Sequence, residues 1–233
     1  TFDDIGLKAT LDAAKAHPHY SAPLGPNQGR GLSCGFWFNF GGNTSVSMNL
    51  NFDGTVGITE GNPDIGGSRA SISQMAAEEL GIPYEKVRTI VADTNSIGHN
   101  DVTDGSRVTF AVGLATIKAA REAIKEMCTR VAKIWEIDAD AVYWEDGYAK
   151  PSGPNAGTFD PMSLEEIAAI SAQTGGPIAG HHEVNADGAG VSFGVHLVDV
   201  EVDPETGATT VLRYTVFQDA GKAIHPDYVE GQM

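Results

Sequence analysis

Cysteine is nearly absent from this chain of 233 residues. Cys34 and Cys128 lie far apart, with no Cys-x-x-Cys pair and no His/Cys cluster beside them. That spacing excludes a cysteine-built metal knuckle or dithiol redox motif. Two free thiols in a reducing compartment are expected, a single disulfide being the alternative. Basic residues are scarce as well: 15 Lys and Arg stand against 31 Asp and Glu, for a formal net charge of −16. A surface of that sign repels phosphate backbones and anionic membranes, so neither nucleic acid nor membrane is expected as a partner. It still allows an anion held locally by backbone N–H groups and one or two arginines. Long apolar runs are missing: no segment reaches the length of a transmembrane helix. No secretory signal precedes the first helix, so a cytoplasmic location is expected. His-Glu-x-x-His, Gly-x-Ser-x-Gly and the phosphate-loop Gly-x-x-x-x-Gly-Lys-Ser/Thr are absent too, and no internal repeat is visible.

What remains is ordinary globular material, with 41% hydrophobic and 20% charged residues, enough to bury a sizeable core. Phe2 to Lys15 reads as a short helix, and the Pro- and Gly-rich stretch after it as a linker. The expected division is therefore an N-terminal helix and linker over 1–28, then a domain over 29–233. Val46, Met48, Leu50 and Phe52 alternate with Ser and Asn, which predicts a half-buried strand. Asp53-Gly54 predicts a hairpin turn, and Val56 and Ile58 continue the alternation on the return strand. Helices are expected from about Ala70 to Leu80 and from about Val108 to Ile134. Ser163 with Glu166 predicts a capping box on another helix, ended by Gly175-Gly176. Strands are expected at 87–91, in a hairpin near 141–151, and in three long stretches from Ile178 to Asp219. The fold class is α+β, with long, mostly antiparallel strands, helices packed on the sheet, and two α/β halves as an option.

Two loops share one design. "PDIGGSR", with Ile65, Gly66, Gly67, Ser68 and Arg69, and "DGSRVT", with Gly105, Ser106, Arg107, Val108 and Thr109, each run small residues, a serine and an arginine into a helix N-terminus. Such a turn offers backbone N–H groups, a hydroxyl and a guanidinium to a phosphate. The alternative is plain: Ser68 and Ser106 are N-caps, and Arg69 and Arg107 lie at the surface. His181 and His182, adjacent on a strand, point to opposite faces and are poorly placed to share a metal. No metal ligands are assigned.

Taken together, "DGTVGITEGNPDIGGSRASISQMAAEELGIPYEKVRTIVADT", "VTDGSRVTFAVGLATIKAA" and "VHLVDVEVDPETGATTVLRYTVFQDAGKAIHPDYVEGQ" resemble the molybdopterin-binding large subunit of the xanthine dehydrogenase and aldehyde oxidase family. The resemblance implies a second molybdenum-cofactor-binding domain, part of an oxidoreductase. It places Ile65, Gly66, Gly67, Ser68 and Arg69 on the pterin-side loop. Gly105 through Thr109 fall on the phosphate-side turn, and Gln232 on a cofactor-contacting glutamine. It also implies a cofactor in its cytosine dinucleotide form and a small organic substrate oxidised with water as oxygen source. [2Fe-2S] and FAD components on other subunits or domains are implied as partners, beside the rest of the large subunit. Gly67 departs from the family, which usually has a glutamine there. No catalytic residue is expected within the chain, because the family's catalytic glutamate lies downstream of the glutamine motif. The chain is thus expected to be an inactive piece of a longer enzyme. A cofactor-binding or assembly domain that has lost redox activity is the rival. An unrelated nucleotide-binding module would need a phosphate-loop lysine that the sequence lacks.

Overall fold

The computed structural model describes residues 6–188 and 190–233. Strands run in chain order as β1 (Gln28–Phe38), β2 (Gly42–Leu50), β3 (Val56–Glu60), β4 (Val87–Ile90), β5 (Val142–Glu145), β6 (Tyr148–Pro151), β7 (Met162–Ser163), β8 (Ala179–Ala186), β9 (Val191–Val202) and β10 (Thr209–Asp219). Helices are α1 (Leu7–Ala16), α2 (Pro18–Ser21), α3 (Ser68–Leu80), α4 (Thr94–Ile97), α5 (Val108–Trp135), α6 (Leu164–Ala169), α7 (Ser171–Thr174) and α8 (Pro226–Gln232). This is the expected α+β fold, and it separates into two compact units. Among the described residues, one unit takes 6–39 and 190–233, and the other is Phe40–Gly188. The boundary expected at residues 28/29 does not coincide with this division.

In the first unit, β9 is the centre of an antiparallel three-stranded sheet, β1-β9-β10. Helix α1 lies against β9 and β10. Beneath the short helix α2, Asp199 is buried and receives both Nε (2.7 Å) and Nη2 (2.9 Å) of Arg30. His19 Nε2 stands 3.0 Å from the same carboxylate, and its Nδ1 lies 2.8 Å from Thr215 Oγ1. The Arg30 hydrogen bonds hold the Asp199 carboxyl down at about 2, against the cost of burial. Arg30 Nη1 also donates to Tyr20 O at 2.7 Å. The stretch expected to be a linker is therefore held on the sheet by His19 against Asp199 and by the Tyr20 carbonyl on Arg30. Residues 226–232 form α8: Pro226 occupies the first helical turn, where its missing N–H costs nothing.

The second unit is built on the sheet β4-β3-β2-β8. Val46, Met48, Val56 and Ile58 are fully buried, so the period of two read from the sequence is the core-facing phase. Gly54, at φ 77°, makes the turn between β2 and β3. β4 pairs parallel to β3, across the α3 connection, whereas β2 runs antiparallel to both of its neighbours. Helix α5, 28 residues long, packs on β8 and β2 through Ala111, Ala115, Ala119, Ala120 and Ala123, all fully buried. Small side chains there bring the helix backbone close to the sheet. Residues β5, β6 and β7 form a separate three-stranded sheet. The capping box of α6 is present: Ser163 Oγ accepts the Glu166 N–H, and Glu166 Oε2 accepts the Ser163 N–H at 2.8 Å. Both cysteines are free thiols, and burial pushes that of Cys128 up to about 11, too high for a thiolate nucleophile at neutral pH. Among the described residues, no helix is long and apolar enough to cross a membrane.

Candidate functional site

Both glycine loops belong to the Phe40–Gly188 unit. The first leaves the end of β3 and enters α3. Gly66 (φ 68°) and Gly67 (φ 82°) are consecutive left-handed residues, a backbone path that a side chain resists. Gly67 is the N-cap of α3 and provides no side-chain acceptor; no acidic residue lies in the first turn. Ser68 is the first helical residue and not the cap. Asp64 reaches in from upstream: its Oδ1 accepts the Arg69 N–H at 3.1 Å and lies 3.4 Å from Ser68 Oγ. Arg69 Nε pairs with Asp64 Oδ2 at 3.2 Å, while 58% of the arginine side chain stays exposed. Ile65, at the tip of the turn, is 67% exposed.

The second loop enters α5 through Gly105 (φ 63°) and Ser106 (φ 55°). A left-handed serine stores backbone strain of the kind found at binding sites. Arg107, and not Ser106, is the N-cap, again with no side-chain cap bond and no acid in the first turn. Val108, nearly buried, and the exposed Thr109 open the helix. The expectation of an outward guanidinium at Arg107 is corrected. Its side chain is fully buried, and Nε donates to Gly41 O. Nη1 donates to Asp101 O (3.0 Å) and Val102 O (3.4 Å), and Nη2 to Asn43 O (2.7 Å). The guanidinium is spent on clamping the loop to the start of β2. What Arg107 can still direct outward is backbone. N-capping by Ser68 and Ser106 is corrected as well, since in each loop the left-handed turn ends one residue away from the place a serine cap needs.

The two loops lie side by side. Asn62 Nδ2 donates to Asp101 O (2.9 Å) and to Thr103 Oγ1 (3.0 Å), so one buried side chain links them directly. Thr44 Oγ1 and the Ser45 N–H both donate to Asn100 Oδ1, which ties the second loop to β2. Phe40 N–H donates to Gly105 O at 3.0 Å, and a Cβ on Gly105 would stand 2.7 Å from Phe40 Cβ. Gln232 lies on α8, in the other unit, and is exposed. His181 and His182 are used separately: Nδ1 of His181 contacts Ser47 Oγ at 2.9 Å, and Nδ1 of His182 contacts Glu122 Oε1 at 2.6 Å.

Sequence reasoning passed over Glu60. It continues the buried phase of Val56 and Ile58, and a carboxylate on that phase was the signal available. Glu60 is 0% exposed, and burial pushes it up to about 7. Asn62 was likewise unread, because one asparagine in a turn carries no periodicity.

Residues 8–233 match the family described as the molybdopterin cofactor-binding domain. The gamma subunit of the 6-hydroxypseudooxynicotine dehydrogenase complex of Paenarthrobacter nicotinovorans is 30% identical over 188 residues, 77% of this chain and 23% of that protein. The carbon monoxide dehydrogenase large chain of Hydrogenophaga pseudoflava is 30% identical over 179 residues, 76% of this chain and 22% of that protein. The chain thus spans less than a quarter of the length of these two relatives. In fold, a crystal structure of a Cu,Mo-CO dehydrogenase superposes with a TM-score of 0.74 at 22% identity, covering 97% of this chain and 30% of that one. The aldehyde oxidoreductase of Desulfovibrio desulfuricans superposes with a TM-score of 0.67 at 21% identity, covering 98% of this chain and 25% of that one. With its α+β architecture and its paired glycine turns, the chain belongs to the molybdopterin cofactor-binding domain family.

Proposed function

We propose that the paired turns hold the molybdopterin cofactor, and that the chain is part of the large subunit of a molybdenum hydroxylase. Ile65, Gly66, Gly67, Ser68 and Arg69 form the pterin-side loop. Gly105, Ser106, Arg107, Val108 and Thr109 form the phosphate-side turn. Gln232 of the other unit is assigned a cofactor contact of its own. The observation that carries this is the doubled design: two left-handed turns, each opening a helix whose N-cap supplies no side-chain acceptor, joined by Asn62. Backbone N–H groups there suit an anion. The α5 turn suits it best, because at α3 the Asp64 carboxylate already takes the Arg69 N–H. Arg69, paired with Asp64 through Nε but more than half exposed, is the cation that can turn to a phosphate, and Arg107 holds the turn in shape from beneath.

When bound, the molybdenum cofactor supplies the oxidation chemistry, with water as the oxygen source and a small organic molecule as substrate. The chain's own residues bind and orient the cofactor. We assign it the cytosine dinucleotide form. Partners are the rest of the large subunit, a [2Fe-2S] component and an FAD component, in the cytoplasm. The relatives' names, a subunit of a dehydrogenase complex and a carbon monoxide dehydrogenase large chain, support the reading of a subunit within a larger oxidoreductase.

The test is Gly66→Val in the full-length protein. A side chain at a left-handed position beside the pterin both strains the turn and blocks close approach. Pterin recovered from the purified variant should fall by roughly tenfold or more, the equivalent of about 1.4 kcal/mol of binding. Unchanged pterin content in a folded variant would remove the first loop from the site.

A further inference from the structure

Around Gly61, directly behind the first loop, hydrogen bonding is left incomplete. Glu60 is fully buried, and its Oε2 accepts the Asn62 N–H at 2.6 Å, but its Oε1 has no partner. Asn62 is 2% exposed; its amide nitrogen is fully used, yet its Oδ1 has no partner. Asn100 Nδ2 is also without one, and it stands 2.7 Å from where a Cβ on Gly61 would lie. The pocket holds two unmatched buried acceptors on residues 60 and 62. Leaving both bare is costly, an ionised carboxylate would add a buried charge, and the unpaired Asn100 amide nitrogen hydrogen-bonds to neither oxygen. A proton on Glu60 turns one of these two acceptors into a donor.

We propose that Glu60 is a positioning residue that works as a neutral carboxylic acid, its Oε1 proton donated to Asn62 Oδ1. That bond fixes Asn62, whose Nδ2 grips the second loop at Asp101 and Thr103. One proton thereby sets the spacing of the two turns. The surrounding charges agree with this. Burial pushes Glu60 up to about 7, and the Asp64 carboxylate on the same loop pushes in the same direction. The Asn62 N–H and the Arg107 guanidinium, at the start of α5, oppose it. Arg107 itself is committed to four carbonyls. Asp93, whose N–H donates to Glu60 O, has its carboxylate taken by Ser96 and the Asn95 N–H, and Asp101 has its own taken by the Asn43 N–H and His99.

The positioning of a cofactor rests on the function proposed above; the protonation of Glu60 does not. The experiment compares E60Q and E60A with the wild type in the full-length protein, by thermal unfolding from pH 5 to 8 and by extracted pterin. Glutamine reproduces the neutral acid: its carbonyl accepts the Asn62 N–H and its amide donates to Oδ1. In the wild type, stability from this site is fully present below the ordinary glutamate value and is lost as pH rises through about 7. E60Q should lose that pH dependence and keep its pterin; E60A should lose both pterin and stability at every pH. E60Q behaving like E60A, or retaining the wild-type pH dependence, would overturn the proposal. Absence of pterin from the wild type, with the pH dependence still abolished in E60Q, would sink the cofactor reading and leave the neutral acid standing.

Discussion

Replacing Arg107 with alanine is expected to destabilise the Phe40–Gly188 unit by about 4 kcal/mol, even though arginine is ordinarily a surface residue. The reason is the count of acceptors. Gly41, Asn43, Asp101 and Val102 all present carbonyls to one buried guanidinium. Removing the donor opens a cavity and takes one hydrogen bond from each oxygen; Asp101 O keeps the Asn62 amide and Asn43 O keeps the Asp101 N–H, and any oxygen left bare beyond the reach of water costs about 1–3 kcal/mol. Arg107→Lys should recover only part of the loss. An ammonium is a point donor and cannot fork between β2 and the loop at once. Denaturant titration followed by tryptophan fluorescence provides the measurement, since Trp135 and Trp144 both pack against this unit's core. A loss below about 1 kcal/mol for the alanine variant, the size of an ordinary surface change, would show that the clamp is dispensable.

Gly180→Ala is expected to be nearly as damaging, at about 3 kcal/mol, for a steric reason. A Cβ there would stand 1.9 Å from Ala119 O and 2.9 Å from Ala119 C. Both are backbone atoms in the middle of α5, so relief requires moving a 28-residue helix off the sheet. Gly113 provides the control. A Cβ there would meet only Met75 Cε at 2.5 Å and Sδ at 2.8 Å, the far end of a flexible side chain. Gly113→Ala also raises helix propensity by about 1 kcal/mol, so it should be close to neutral or better. Equal loss of melting temperature in the two variants would contradict the close helix-to-sheet approach described for α5.

Periodicity made much of this architecture legible. The buried phase of β2 and β3, the length of α5 and the capping box at Ser163 follow from local rules, and the structure has each of them. The glycine pairs were legible as turns for the same reason: left-handed backbone is written in residue type. Roles fixed by distant partners were not. Arg107 reads as a phosphate ligand until Gly41 and Asn43 are seen around it. Ser68 and Ser106 read as N-caps, but the turn geometry assigns the caps to Gly67 and Arg107. The parallel pairing of β3 with β4 depends on where α3 returns the chain. The anchoring of His19 and Arg30 on Asp199 joins residues far apart in sequence, and neither pattern nor propensity reports such pairs. Glu60 falls between these cases, since its phase was visible and its shortage of donors was not.

The central claim is that these loops hold a molybdenum cofactor within a larger hydroxylase subunit. It is tested most directly by elemental analysis of the full-length protein purified from its native host. The account predicts about one molybdenum atom per large subunit, as expected for a single bound cofactor. A well-folded protein with no molybdenum and no pterin would contradict it, and would leave a binding or assembly domain whose glycine at position 67 marks the loss of the metal chemistry.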